Sequence, residues 1–187
     1  MNYKALCLVF GLAVTTATNA SEFQGEGYLE LHLGQNNTSY TGGGLDYSYM
    51  TIGGAWGYQF EPNWSAELFM TFATDGDSVP DAVNPFTVDV DTKVNGIGGY
   101  LVARTNDDFY VKGKLGLIGT QFAYTAGGYE DEMEYNFGLS YGFSAGYDAR
   151  DFYVELSYLI LPEAEDSFYN GVNYDVETIA LNVGFYY

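Results

Sequence analysis

Basic residues are scarce in this chain. Six Lys or Arg stand against 25 Asp or Glu among 187 residues, with a single His and a single Cys. A surface so acidic repels phosphate backbones, which excludes nucleic acid as a partner. The lone Cys7 lies in an N-terminal leader, so the remaining chain has no disulfide. His32 is the only histidine, and a histidine metal site normally needs further nitrogen or sulfur ligands. No cofactor or metal site is therefore expected. No stretch after Ala20 approaches the roughly 18 to 20 apolar residues of a membrane helix. Proline is scarce too, at four residues. What the chain has in abundance is 19 Tyr, 13 Phe and 24 Gly. Acidity alone suggests disorder, but this aromatic content argues against it and favours an all-β chain.

The first twenty residues, "MNYKALCLVFGLAVTTATNA", place Lys4 before an apolar run from Ala5 to Val14 and end in small and polar residues. That is the layout of a secretory signal peptide, too short to span a bilayer. Cleavage is expected after Ala20, leaving residues 21–187 as one domain. All 25 acids and five cations remain: Lys93, Arg104, Lys112, Lys114 and Arg150.

Eight strand-like segments follow, over about 25–35, 47–60, 64–74, 88–104, 109–120, 134–148, 152–161 and 174–187. Each alternates with period two, the pattern of a strand with two unlike faces. In the first segment Leu29, Leu31 and Leu33 share one face, and Tyr28, Glu30 and His32 share the other. The fourth has the least clear parity, and its Gly96, Gly98 and Gly99 suggest a bulge. Connections alternate in length. "EPN", "TNDD" and "DARD" are tight, whereas those after the odd-numbered segments are long and rich in glycine or acids. Strands joined by tight turns are antiparallel neighbours. The result is an even-stranded meander with short turns at one end and long loops at the other.

The sixth segment decides which face meets what. Tyr135, Phe137, Leu139, Tyr141, Phe143, Ala145 and Tyr147 form an unbroken apolar row, opposite Glu134, Asn136, Gly138, Ser140, Gly142, Ser144 and Gly146. Small side chains suit a cramped interior, and a large apolar row suits hydrocarbon. A soluble barrel or sandwich would reverse this arrangement. Only a closed sheet satisfies its backbone hydrogen bonds in a bilayer. The expected fold is a closed eight-stranded antiparallel up-and-down transmembrane β-barrel. Phe60, Trp64, Phe109, Tyr147, Phe152, Phe185 and Tyr187 all lie beside short turns or the C-terminus, where they would form a girdle at one membrane interface.

With these features, and with "GYQFEPNWSAEL", "FYVKGKLGL" and the terminal "IALNVGFYY", the chain resembles the small eight-stranded outer-membrane barrels of Gram-negative bacteria, the OmpA-type barrel domain and its surface-antigen relatives. The resemblance covers residues 25–187. It implies residence in the outer membrane, with lipid and lipopolysaccharide as surroundings and the barrel-assembly machinery as a partner. It also implies that the last strand, through Ile179, Leu181, Val183, Phe185 and Tyr187, acts as the insertion signal. Tyr187 stands where phenylalanine is commoner. No peptidoglycan-binding domain is expected after the last strand, so that part of the OmpA-type role is not implied.

Several ionisable residues carry inward parity: Glu30, His32, Glu67, Lys112, Lys114 and Glu155. Buried charges need partners, so a lumenal ion-pair cluster is expected, centred on Lys112 and Lys114 with Glu67 and Glu155. Two readings of it stand: a plug that fixes the packing of a narrow barrel, or a gate whose opening admits ions. Some barrels in this membrane modify lipid A with serine and histidine, but Ser39 and Ser48 form no such arrangement with His32. No enzymatic activity is expected. The long connections carry Asp75, Asp77, Asp81, Asp89 and Asp91, then Glu130, Asp131 and Glu132, then Glu163, Glu165, Asp166 and Asp175. They form either a solvated acidic rim or a set of carboxylates bridged by divalent cations to lipopolysaccharide. "DGDSVPD" lacks the spacing of an EF-hand. The expected function is a monomeric structural or surface-interaction protein with no large pore, with an extracellular ligand met through its acidic loops as a candidate partner. A narrow porin-like channel, a lipid-modifying enzyme and a secreted soluble binder are the rivals.

Overall fold

Alternation of side chains along extended segments builds the whole molecule. The computed structural model describes residues 25–40, 46–74, 77–80, 89–126, 129–132, 134–149, 151–166 and 172–187. Residues 1–20, read above as an export leader, lie outside them, as do Asp75, Asp81 and Arg150.

Ten strands follow in order: β1 (Glu26–Tyr40), β2 (Asp46–Glu61), β3 (Trp64–Ala73), β4 (Asp77–Pro80), β5 (Asp89–Arg104), β6 (Phe109–Ala126), β7 (Tyr129–Glu132), β8 (Asn136–Asp148), β9 (Phe152–Asp166) and β10 (Val172–Tyr186). Eight of them are barrel staves. The ladder runs β5-β3-β2-β1-β10-β9-β8-β6, and pairing of β6 with β5 closes it. Every pairing is antiparallel. The short β4 and β7 pair only with the upper parts of β5 and β6, at the long-connection end. They were not expected from the sequence. Neither were the full lengths of β1, β6 and β9, which end at Tyr40, Ala126 and Asp166 rather than near 35, 120 and 161.

The tight turns are held by local bonds. Gln59 Nε2 donates to the Pro62 carbonyl at 2.6 Å, and Asn63 Nδ2 to the Arg104 carbonyl at 2.9 Å. Thr105 Oγ1 accepts from the Val111 amide at 3.1 Å. The bulge expected among the glycines of the fourth segment is absent. β5 keeps continuous register with both neighbours, and the irregularities fall between Gln59 and Glu61 and between Tyr174 and Val176. Its parity is now plain: Val94, Gly96, Gly98, Tyr100 and Val102 face in.

Orientation follows the sixth segment. On β8, Phe137 and Phe143 are each 64 % exposed, while Ser140 and Ser144 are buried. Leu29, Leu31 and Leu33 on β1, and Met50, Ile52 and Trp56 on β2, also point outward. The interior departs from expectation in one respect. Ionic groups fill only the half nearer the short turns, whereas small polar ones such as Asn36, Thr38, Thr120 and Thr178 are buried further up. Towards the long connections the axis is packed by Val94, Phe122, Leu159, Leu161, Ala164, Tyr174 and Val176. Phe122 and Tyr174 stack there at 5.3 Å with an interplanar angle of 5°. Eight staves leave an interior that side chains just fill, so this apolar packing closes the lumen.

Candidate functional site

The inward faces of β1, β3, β6 and β9 meet in the lower half of the lumen. At the short-turn mouth, Arg104 Nη2 pairs with Asp148 Oδ2 at 2.9 Å, and its Nη1 donates to the Tyr186 hydroxyl at 2.7 Å. Tyr186 donates to the same Asp148 oxygen at 2.8 Å. The guanidinium also lies 4.3 Å over the Tyr110 ring. Above it, Tyr28, Tyr110 and Tyr153 pack edge to face, with centroids 6.0 and 6.2 Å apart.

These three rings form the floor of a charged layer. Lys112 Nζ lies 2.6 Å from Glu155 and 3.9 Å from Glu30. Lys114 Nζ lies 2.9 Å from Glu67, 3.7 Å from Glu30 and 3.8 Å from Glu155. Each carboxylate takes one tyrosine hydroxyl: Tyr28 donates to Glu67 at 2.7 Å, Tyr153 to Glu30 at 2.7 Å and Tyr110 to Glu155 at 3.1 Å. Lys112 also sits 4.3 Å over the Tyr153 ring. All five charged side chains are buried. Burial on this scale is tolerable only because each charge has both an opposite charge and neutral donors or aromatic faces around it.

His32 stands one level higher. Its Nδ1 lies 3.0 Å from Asn182 Oδ1, and Asn182 Nδ2 donates to Glu155 at 3.2 Å and to Ser157 at 3.1 Å. The six predicted lumenal residues thus form one connected network. Among the described residues no group of His, Cys, Asp and Glu is arranged to hold a metal ion.

A family model described as outer membrane protein beta-barrel domain matches residues 5–187. The chain belongs to this family. Solved barrels share its fold. Neisserial surface protein A superposes with a TM-score of 0.69 at 13 % identity, covering 87 % of this chain and 99 % of that one. Ail of Yersinia pestis, solved with the heparin analogue sucrose octasulfate, gives 0.61 at 18 % identity, covering 88 % and 100 %. The outer membrane protein OprG of Pseudomonas aeruginosa gives 0.54 at 14 % identity, covering 87 % and 96 %. No curated protein sequence matches the chain.

As an outer-membrane barrel the molecule presents its outward rows to lipid. Trp64, Phe109, Tyr147, Phe152, Phe185 and Tyr187 are all exposed at the short-turn end, and Phe60 is half-buried beside them. Ile179, Leu181, Phe185 and Tyr187 are exposed along one face of β10 and its end, with Val183 half-buried between them. The last residue also meets the seam where first and last strands join. Its amide donates to the Gly27 carbonyl at 2.9 Å, and its hydroxyl accepts from Trp56 Nε1 at 2.5 Å.

The lumenal tyrosines, Arg104, Asp148 and Asn182 were not singled out by sequence reasoning. A signal for the tyrosines existed. Tyr28 shares parity with Glu30, and Tyr110 with Lys112. Moreover, Tyr28, Tyr100, Tyr110 and Tyr153 each lie directly across from a glycine of the neighbouring strand: Gly57, Gly116, Gly146 and Gly184. In each case a methyl group on that glycine would overlap the tyrosine ring. Each ring lies flat across the adjacent strand in the space its glycine leaves open.

Proposed function

We propose that this barrel is a plugged anchor that presents four long connections, three of them acidic, at the cell surface of a Gram-negative bacterium, as a structural and surface-interaction protein rather than an enzyme or a pore. The observation that carries the reading is the filled lumen: an ion-pair layer below and packed apolar side chains above leave only the two ends free to act. Short turns mark the periplasmic end of such barrels and long loops the external end. The external end is dominated by carboxylates, so its contacts are with cationic groups, with divalent cations shared with lipopolysaccharide phosphates, or with a basic extracellular ligand. Against lipid modification stands the environment of His32, whose ring is engaged by Asn182 inside the lumen, away from the lipid face. The outward row of β10 serves as the insertion signal read by the assembly machinery. Residues 1–20 are the export leader, and the barrel works as a monomer.

Planar-bilayer recording tests the plug. The refolded chain is expected to give no discrete conductance, and reproducible openings would replace this reading with a narrow channel. Exchange of each acidic connection for a short neutral one tests the surface role. Binding to lipopolysaccharide in the presence of calcium should fall while the barrel stays folded. Mass spectrometry of the exported chain is expected to find its N-terminus at Ser21.

A further inference from the structure

The placing of apolar side chains outside and polar ones inside reverses part-way up the barrel. On β2 the outward row climbs from Phe60 through Tyr58, Trp56 and Ile52 to Met50, and the next outward residue is Ser48, which is exposed. From Phe60 to Met50 the strand rises about 25 Å, at about 3.3 Å per residue and a tilt of roughly 40°. That is the height of the whole apolar band of an outer-membrane barrel, about 25 Å. The hydrocarbon is therefore already spanned at Met50. Gln35 stands opposite Met50, and Asn37 opposite both Ser48 and Glu177. With Asn95 and Gln121 these residues make the outward face polar, whereas Tyr49, Val94, Phe122, Leu161 and Val176 are buried on the inward face. Among the described residues the wall changes its construction here as well. The β2–β3 ladder ends at Thr51 and Ala73, and the β8–β9 ladder at Tyr141 and Ile160. Above them β9-β10-β1-β2 and β4-β5-β6-β7 continue as two four-stranded ribbons, with Phe122 of one stacked on Tyr174 of the other.

We infer that the top of the barrel stands clear of the hydrocarbon as an ordered rim, and that the outer wall of this rim on β1, β2 and β10 is a contact surface for the sugars of lipopolysaccharide. The partner rests on the reading of the long connections as the external end. The rim has the pattern of a sandwich in water, apolar between its sheets and polar outside. Lowering it into acyl chains would bring Glu177 and Lys93, both of outward parity, into hydrocarbon, where ionised groups are costly. Tyr158, one outward step below Glu177 along the wall, gives its hydroxyl to that carboxylate, as tyrosines do where hydrocarbon meets a polar layer. On β6 the rim runs from Gln121 to Ala126, a rise of about 13 Å. Its lower edge lies at the level of the lipid headgroups, which in the outer leaflet are saccharide. Gln35 Nε2 donates to Asn37 Oδ1 at 3.5 Å and to Ser48 Oγ, so two amides and a hydroxyl form one patch. Such groups both donate and accept, which matches sugar hydroxyls, and Glu177 beside them adds an acceptor. The patch itself holds no cation to draw phosphate.

Site-directed spin labelling tests the rim. With Cys7→Ser as background, single cysteines replace Leu31 or Leu181 in the apolar band and Asn37, Ser48 or Gln121 in the rim, and each carries a nitroxide. In phospholipid vesicles, oxygen is expected to relax the labels at Leu31 and Leu181 more strongly than a water-soluble nickel chelate does. At Asn37, Ser48 and Gln121 the chelate is expected to dominate. Oxygen dominance at these three sites, in variants that keep the parent's β-structure, would put the rim in acyl chains and overturn the proposal. The sugars are tested by adding lipid A or lipopolysaccharide with its core sugars to the vesicles. Nickel access at Asn37 and Ser48 is expected to fall severalfold with the core sugars, while Leu31 stays unchanged. Equal access with the two glycolipids overturns the saccharide contact. Either failure leaves the plugged lumen standing, since conductance tests that separately.

Discussion

Glu30 holds the weakest ionic ties of the three lumenal carboxylates. Its distances to Lys114 and Lys112 are 3.7 and 3.9 Å, whereas Glu155 and Glu67 have lysines at 2.6 and 2.9 Å. Three carboxylates face two ammonium groups, so one negative charge in this layer is not matched. Replacing Glu30 with glutamine removes that surplus and keeps an oxygen to accept from Tyr153. Glu30→Gln is expected to change stability by less than about 1 kcal/mol, the ordinary range for one neutral hydrogen bond. Lys112→Met is different, because it leaves Glu155 buried without its close partner. Breaking a buried pair from one side costs about 3–5 kcal/mol. Urea unfolding of both variants in lipid vesicles distinguishes them. Equal, small effects would show that the charged layer contributes little to holding the barrel together.

At the level of strands, the tyrosine–glycine pairs tie neighbouring staves on the inner face as cross-strand contacts do in any sheet. Tyr153 lies over Gly184, the residue directly opposite it on β10, while its hydroxyl reaches Glu30 on β1. One side chain thus spans three consecutive strands at the seam. Gly184→Ala should cost about 1–3 kcal/mol, as overpacking does. The double variant with Tyr153→Leu should recover part of the overpacking strain, read as non-additive unfolding energies. On the outer face, Phe143 sits near the middle of the lipid-facing row of β8. Phe143→Arg is expected to destabilise by about 2–4 kcal/mol, the midplane cost of a charge in such barrels. A neutral outcome would place that row in water. These strands were legible in the sequence because their two faces differ in kind: Phe137 to Tyr147 against Ser140 and Ser144 reads as period two without further information. β4 and β7 were not legible, since four residues such as Tyr129–Glu132 are too short and too acidic to show a face. The apolar upper lumen escaped for a related reason. Val94, Phe122 and Val176 are as hydrophobic as lipid-facing residues, and parity near a strand end marks which face they take only once register is known. The ion cluster was more accessible, because a charged residue of inward parity has few other places to find a partner.

For the whole molecule, the distribution of charge matters more than its total. Of the five cations after residue 20, Lys112 and Lys114 are buried, Arg104 is bound to Asp148 at the short-turn mouth, and Arg150 belongs to a short turn by sequence. Lys93 is the one basic residue in or beside the long connections, among acids from Asp75 to Asp175. The long-connection end therefore projects a negative field over roughly a Debye length, about 8 Å at physiological salt. Ail shares this fold and was crystallised with a sulfated heparin analogue. A polyanion of that kind has no complementary charge here and must approach against repulsion. Titration of the refolded barrel with sucrose octasulfate is expected to give no measurable binding even at low salt. Oligolysine should bind, and its affinity should fall steadily as ionic strength rises, since the attraction is screened rather than lost through unfolding. Neutralising Glu163, Glu165, Asp166 and Asp175 together, to glutamine and asparagine, should weaken oligolysine binding and flatten its salt dependence. Tight binding of the sulfated ligand to the parent chain would mean that these connections fold so as to hide their carboxylates, and the acidic end would then not be the surface that meets a partner.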